Sequence, residues 1–234
     1  MEITLIGTGN VATSLRPALE GAGHEVRQLS GRKFSPSEVA GDVVIVSVRD
    51  DAIASVTDRL RDCTALVVHT AGSIPMEIIP SRRRGVLYPM QTFSRERRVD
   101  MAQVALFIES EPADPLLETL ARSISQHVYQ LDSEGRRHLH LAAVFASNFV
   151  NHCYTLSAEI LEERDLPFDV MLPLVDEVAR KVHTLPPLKA QTGPAARGDR
   201  GVMMRQEAML SGRKREIYRL MSESIYDKLR LTED

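Results

Sequence analysis

The sequence predicts a doubly wound, mainly parallel α/β sheet followed by an all-helical C-terminal region, and three observations carry that prediction. An apolar strand at the N-terminus runs straight into a glycine turn, Gly7-Thr8-Gly9, and then a helical run. Asp42 to Val48 is a near-continuous apolar segment, the pattern of a parallel strand buried on both faces. After Asp132 strand alternation stops and apolar residues recur at helical spacing.

The first strand ends at Ile6. Gly7 permits a tight turn, Gly9 lets the backbone approach a pyrophosphate lying on the helix N-terminus, and Ala12 is the small third residue that close helix–strand packing needs. Val11, Leu15, Ala18 and Leu19 form the buried stripe of this helix, and Gly21 and Gly23 stop it. The unit reads as the start of a Rossmann sheet, with Gly7, Thr8, Gly9, Asn10, Val11 and Ala12 as dinucleotide contacts. The second strand, His24 to Leu29, ends where the adenosine ribose would lie. NAD-specific sites place a carboxylate there, but this chain has Ser30 and Arg32, with Lys33 beside them. A hydroxyl and a guanidinium suit a 2′-phosphate, so the expected cofactor is NADP(H); a solvated loop arginine is the plainer alternative.

The strand Asp42 to Val48 is followed by a helix to about Leu60, with Asp50 and Asp51 at its positive end. Ala65 to His69 forms the next strand and leads through Thr70-Ala71-Gly72-Ser73 into a short helix ending near Pro80. Further strands are expected at Gly85 to Tyr88, Val104 to Glu109 and His127 to Leu131, with a helix from about Asp114 to Gln126. Beyond Asp132 the spacing predicts one long helix from Ser133 to about Arg164 and a second from about Phe168 to Val182. A Pro/Gly-rich loop from Leu185 to Gly201 and a last helix from about Val202 to Leu229 follow. The expected domains are 1–132 and 133–234, and the second is expected to mediate homodimerisation because its long helix is apolar over much of its circumference.

With 234 residues, 43% of them hydrophobic, the chain can bury a sizeable core. A formal charge of -3 argues against general nucleic-acid binding, and no apolar run approaches the roughly 20 residues that span a bilayer. Cys63 and Cys153 lack metal-ligand spacing, so the expectation is two buried thiols in a reducing cytoplasm and no metal site. Arginines at 82 to 84 and at 95, 97 and 98 form a basic local surface, either a solvated face or a funnel for an anionic substrate.

In open α/β sheets, ligands lie beyond the carboxyl ends of the strands, at the switch point. That rule selects Ser47, Val48 and Arg49 beside the dinucleotide, Thr70 and Ala71 toward its nicotinamide end, and Gly72, Ser73 and Tyr88 as contacts for a small-molecule substrate. His69 is the acid–base candidate because imidazole titrates near neutrality; a histidine hydrogen-bonded to a neighbouring loop is the alternative. Ser73 equally suits a helix cap. On the long helix His140, Ser147, Asn148, Asn151 and Thr155 share a polar stripe. If it faces the cleft, Asn148 and Asn151 take catalytic contacts and His140 a substrate contact; otherwise it is ordinary surface. The segment Ala190 to Asp199 reads equally as a substrate loop working through Thr192 and Gly193 and as a plain connection.

Several of these segments together resemble one known family. They are the glycine turn with Asn10, the strand Asp42 to Val48 with Asp50-Asp51, the His69-Thr70-Ala71-Gly72 loop, Tyr88-Pro89-Met90-Gln91-Thr92-Phe93, the helical His140 to Phe149, and the Gln191-Thr192-Gly193-Pro194 loop. That family pairs a Rossmann-like NADP-binding domain with a C-terminal helical domain of unknown function. Its wider superfamily includes pyrroline-carboxylate reductase, ketopantoate reductase, the 3-hydroxyacid dehydrogenases and the deazaflavin-dependent NADP oxidoreductases. The resemblance implies an NADP(H)-dependent oxidoreductase of a small carbonyl or imine metabolite, with a helical dimerisation domain. Two of those relatives, the 3-hydroxyacid dehydrogenases and the ketopantoate reductases, use a helix lysine with an asparagine four residues on. This chain has no lysine between Lys33 and Lys181, so their proton-transfer residues do not carry over. Any acid must be a histidine, a tyrosine such as Tyr88, or water; the alternative is a non-catalytic NADP-binding sensor or scaffold.

Overall fold

A computed structural model describes residues 1–231. Seven strands form one sheet: β1 Glu2–Ile6, β2 Glu25–Leu29, β3 Val43–Val46, β4 Leu66–His69, β5 Arg84–Met90, β6 Ala105–Glu111 and β7 His127–Gln130, in the order β2-β1-β3-β4-β5-β6-β7. The strands from β1 to β5 pair in parallel, β6 is antiparallel to β5, and β7 is parallel to β6. The sheet is therefore mainly parallel, as expected, with one reversal that apolar patterning does not reveal. Every residue of β3 and β4 is buried, which is why these strands read as unbroken apolar runs.

Register decides where a site can form. Ile6 pairs with both Leu29 and Val46, and Val46 pairs with His69. Ser30, Gly7, Ser47 and Thr70 consequently leave four adjacent strands side by side. The chain turns from β2 on one side of β1 to β3 on the other, so this row spans the switch point.

Helix α1, Asn10–Gly21, buries Ala12, Leu15 and Leu19. With Leu5, Ile45, Val68 and Leu87, and with Leu117 and Leu120 of α3 (Pro115–Ile124), they fill one face of the sheet. Ile6, Val44, Val46 and Val67 face the other way and pack with Phe34, Leu60 and Val56, the last from α2, Asp50–Asp58. The alternation of Leu5 and Ile6 between these cores is the strand period of two.

The helical run from Ser133 departs from the expected single α-helix. It consists of α4 Ser133–Ala143, a π-helical segment Val144–Phe149 and α5 Val150–Glu162. The π segment breaks the α-helical register on which one continuous polar stripe depends. Internal contacts divide the chain into a unit Met1–Phe149 and a helical unit beginning at Val150. Within the first unit α4 is anchored by the fully buried Arg136.

In the second unit a 3₁₀ turn Phe168–Met171 leads into α6 Leu172–Thr184, and the expected loop carries two single-turn helices, α7 Pro187–Ala190 and α8 Pro194–Arg197. The expected last helix is in fact two, α9 Arg200–Ala208 and α10 Gly212–Arg230, separated where Gly212 takes a φ of 54°. Asp199 caps α9 by accepting from the Val202 N–H at 3.0 Å. Lys214 of α10 bridges Glu159 and Glu163 of the α5 region at 3.1 and 3.6 Å. Val170, Leu174, Val178 and Val182, four residues apart in sequence, are each 50–60% exposed.

Among the described residues no helix is long and apolar enough to cross a membrane, and no cluster of His, Cys, Asp or Glu is placed to hold a metal ion. Cys63 and Cys153 are free and half-buried rather than buried.

Candidate active site

The glycine turn is held from three sides. Gly7 has φ 137°, and a Cβ on it would overlap the carbonyl oxygen of Ser47. Its N–H donates to the Leu29 carbonyl at 2.9 Å, and Gln28 Nε2 donates to its own carbonyl at 2.8 Å. Gly9 is the N-cap of α1, which has no side-chain cap and no acidic residue in its first turn. Nothing lies within 4 Å of a Cβ built on Gly9. The first N–H groups of α1 therefore face open space at the positive end of the helix, a place suited to an anion. Thr8 and Asn10 are exposed around this opening, while Val11 is half-buried and Ala12 buried beneath it. Asn10 Nδ2 donates to the Phe93 carbonyl at 2.9 Å and ties the head of α1 to the segment after β5.

The turn after β2 is closed by Lys33 and Phe34 N–H groups donating to the Ser30 carbonyl. A Cβ on Gly31 would come within 2.7 Å of Val48 Cγ1, so this turn lies against Val48. Ser30 and Arg32 are both exposed, and among the described residues Arg32 and Lys33 have no carboxylate partner. Arg59, by contrast, is committed: it lies 3.7 Å from the Phe34 ring centroid and donates to the Gly31 carbonyl at 3.4 Å. Arg49 is paired with Asp51 at 2.8 Å. Between Gly7 and β4, Thr70 Oγ1 donates to the buried Ser47 Oγ at 3.2 Å. An open helix N-terminus at one end and an uncommitted guanidinium on a carboxylate-free turn at the other fit a dinucleotide carrying a 2′-phosphate.

Toward β5 a second group converges. Gly72 has no room for a side chain, because a Cβ there would stand 2.6 Å from His140 Nδ1 and 2.9 Å from Tyr88 Cζ. Its absence lets the Tyr88 hydroxyl meet His140 Nδ1 at 3.1 Å, with the rings edge to face at 6.0 Å. Tyr88 is 8% exposed, and burial raises the pKa of its phenol while the Arg136 charge opposes the rise. The phenol is thus a protonated donor near neutral pH. Ser73 donates to Asp50 Oδ2 at 2.8 Å and caps no helix.

His69 has no free nitrogen. Its Nδ1 accepts from the Ala71 N–H at 3.2 Å and its Nε2 faces the Pro75 carbonyl at 3.4 Å, which places the proton on Nε2. Burial, then the Arg136 charge, depresses its pKa to about 4, against the opposing hydrogen bond to Pro75. A neutral, doubly engaged imidazole shapes the 70–75 loop; this placement does not support the acid–base role expected of it.

Sequence reasoning missed the residue that organises this loop. Arg136 is completely buried, donates to the Ala71 carbonyl through Nε at 3.2 Å and to the Ile74 carbonyl through Nη2, and pairs with Glu109 of β6 at 2.6 Å. Ser133 joins the same knot, with its hydroxyl donating to Glu109 at 2.8 Å and accepting from the Met76 N–H at 3.0 Å. One guanidinium thus fixes the loop that carries Ala71 and Gly72 to both α4 and the sheet.

The first unit therefore brings together the rows Ser30-Gly7-Ser47-Thr70 and Gly72-Tyr88-His140. Asn148 is exposed in the π segment. Asn151, Thr192 and Gly193 belong to the second unit, where Asn151 and Thr192 are exposed and Gly193 is the N-cap of α8.

Residues 104–225 match the family model described as a domain of unknown function, DUF2520. A Bacteroides fragilis protein described as a "putative NADP oxidoreductase" is 42% identical, with a TM-score of 0.87 over 97% of this chain and 98% of its own. A Thermotoga maritima protein, 23% identical, superposes with a TM-score of 0.74 over 99% of this chain and 100% of its own. The imine reductase of Myxococcus stipitatus in complex with NADP+ shares the fold at 17% identity, with a TM-score of 0.60 over 98% of this chain and 93% of its own. No curated protein sequence matches the chain.

Proposed function

We propose, starting from the fact that this chain belongs to the family of the domain of unknown function DUF2520, that it is an NADP(H)-dependent oxidoreductase of a small carbonyl or imine metabolite. The observation that carries this reading is the turn after β2, where Ser30 and Arg32 stand exposed and, among the described residues, Arg32 has no carboxylate partner, beside an open helix N-terminus. The relation, at 42% identity, to the protein described as a "putative NADP oxidoreductase" supports the cofactor, and the NADP+ complex of the imine reductase, a likeness of fold, is in keeping with it.

When bound, the nicotinamide would supply or accept a hydride. The N–H groups at the head of α1 hold the pyrophosphate, and Arg32 with Ser30 grips the 2′-phosphate through charge-assisted hydrogen bonds. Val48 and Thr70 flank the cofactor. Tyr88 Oη gives the proton that a reduced carbonyl or imine must gain; His140, in the tautomer with its proton on Nδ1, donates to Oη across 3.1 Å, which leaves the phenol hydrogen free for the substrate and supplies a proton to replace it. Asn148, exposed in the π segment of the same unit, is a further substrate contact. A second copy of the chain covers the Val170-Leu174-Val178-Val182 stripe, and sedimentation at twice the monomer mass checks this; a monomer at micromolar concentration contradicts it. The two free cysteines suit a reducing cytoplasm.

Arg32→Ala should weaken NADPH by about tenfold to a hundredfold, the worth of a charge-assisted contact, and leave NADH nearly unchanged. Equal loss for both dinucleotides refutes the 2′-phosphate assignment. Tyr88→Phe should lower kcat by about a hundredfold or more on any carbonyl or imine the enzyme reduces, with NADPH affinity intact. An unchanged kcat removes Tyr88 from the chemistry.

A further inference from the structure

Of the first arginine group, Arg82 is exposed, while Arg83 is paired with Asp114 at 2.8 Å and Arg84 with Glu111 at 2.6 Å. Arg95, Arg97 and Arg98 are exposed, and among the described residues their guanidiniums have no carboxylate partner. All three line a cavity of about 520 Å³ between α1, α3 and the segment after β5. That volume lies in the range of small-molecule pockets.

The chemistry of the lining is consistent. One carboxylate, Asp100, is present against three guanidiniums, and it is engaged in accepting from the Ala102 N–H at 3.1 Å. Three hydroxyl protons in the wall are spent: Thr13 donates to Gly9, Ser14 to Asn10 and Ser123 to Leu120. The charged free donors are the guanidiniums, with the Ser94 hydroxyl, which accepts from the Arg97 N–H, beside them. Pro17, Ala18, Val99, Met101 and Ile124 supply an apolar floor. None of Gly7, Gly9, Ser30, Arg32, Val48 or Thr70 lines the cavity, so it is distinct from the proposed dinucleotide site.

We infer that this cavity binds a small organic anion, a phosphate or carboxylate group held by the arginines at the mouth with an apolar body resting on the floor. Guanidiniums match such oxyanions bidentately, and in a chain of net charge -3 a local excess of positive charge steers an anion to this point. Occupancy here is independent of the oxidoreductase reading.

Calorimetric titration with phenyl phosphate, alongside inorganic phosphate, tests the inference, with and without saturating NADP+. Phenyl phosphate should bind more tightly than inorganic phosphate in both conditions. The double variant Arg97→Ala/Arg98→Ala, whose lost side chains make no hydrogen bond or ion pair among the described residues, should fold normally by thermal melting and bind phenyl phosphate at least about tenfold more weakly. Absence of binding at millimolar ligand, binding that the double variant retains, equal affinity for inorganic phosphate, or displacement by NADP+ would each overturn it. If the dinucleotide itself does not bind, the titration without it still reads the cavity through the arginine variant.

Discussion

Gly7→Ala should lower the unfolding free energy by about 3 kcal/mol or more and abolish dinucleotide binding. Two costs combine. A φ of 137° is strained for any side chain, and the new Cβ would overlap the Ser47 carbonyl oxygen. Neither side can retreat easily. The Gly7 N–H is bonded to Leu29 on β2, and the Ser47 N–H is bonded to the Ile6 carbonyl at 2.8 Å, so movement of either opens the ladder at the switch point. Gly9→Ala is the matched control. It meets no atom within 4 Å, so its stability by urea denaturation should stay close to wild type. Its methyl group intrudes only on the open space assigned to the pyrophosphate, so NADPH affinity should fall alone. Wild-type stability in Gly7→Ala would mean that the turn is looser than its contacts imply.

Arg136→Met is expected to destabilise the protein by about 3–5 kcal/mol, the usual cost of removing one partner from a buried ion pair. The loss leaves Glu109, 15% exposed, without its cation, and removes the donors to the Ala71 and Ile74 carbonyls. Arg136→Lys should not restore the stability, because an ammonium cannot span three acceptors set out for a planar fork. Adding Glu109→Gln to Arg136→Met should recover part of it by removing the stranded charge. Urea midpoints of the two single variants and the double variant read this directly; additive losses would show that the pair is not coupled. The loss also bears on the proposed chemistry. Arg136 opposes the rise in the Tyr88 pKa, so the surviving Arg136→Met protein should titrate its phenol at higher pH than wild type.

The strand–glycine turn–helix unit at the start of the sheet was legible because its signals are local. Gly7, Gly9 and Ala12 mark a turn and a helix start within six residues, and Val43 to Val46 is apolar on both faces because the strand is covered on both. The reversal at β6 was not legible: Ala105–Glu111 alternates like any half-buried strand, and pairing direction leaves no trace in a single strand's pattern. Arg136 was hidden by its neighbours, since Arg137 and His138 beside it are ordinary exposed polar residues. A signal did exist. Arg136 stands three residues before Leu139 and seven before Ala143, on the stripe of α4 that turns inward, and a cation there needs a buried carboxylate. His69 misled for the opposite reason: its position at the end of a central strand suits a catalytic residue, and only the Ala71 and Pro75 contacts, made by the following loop, show that its nitrogens are occupied.

The proposed NADP(H) dependence rests on the turn carrying Ser30 and Arg32 as the reader of a 2′-phosphate. The chain has no tryptophan, so the fluorescence of the reduced nicotinamide itself is a clean signal for titrating NADPH and NADH against the wild-type protein. NADPH should bind at least about tenfold more tightly than NADH, the difference of one charge-assisted contact. Tighter binding of NADH, or binding of neither, would contradict the account.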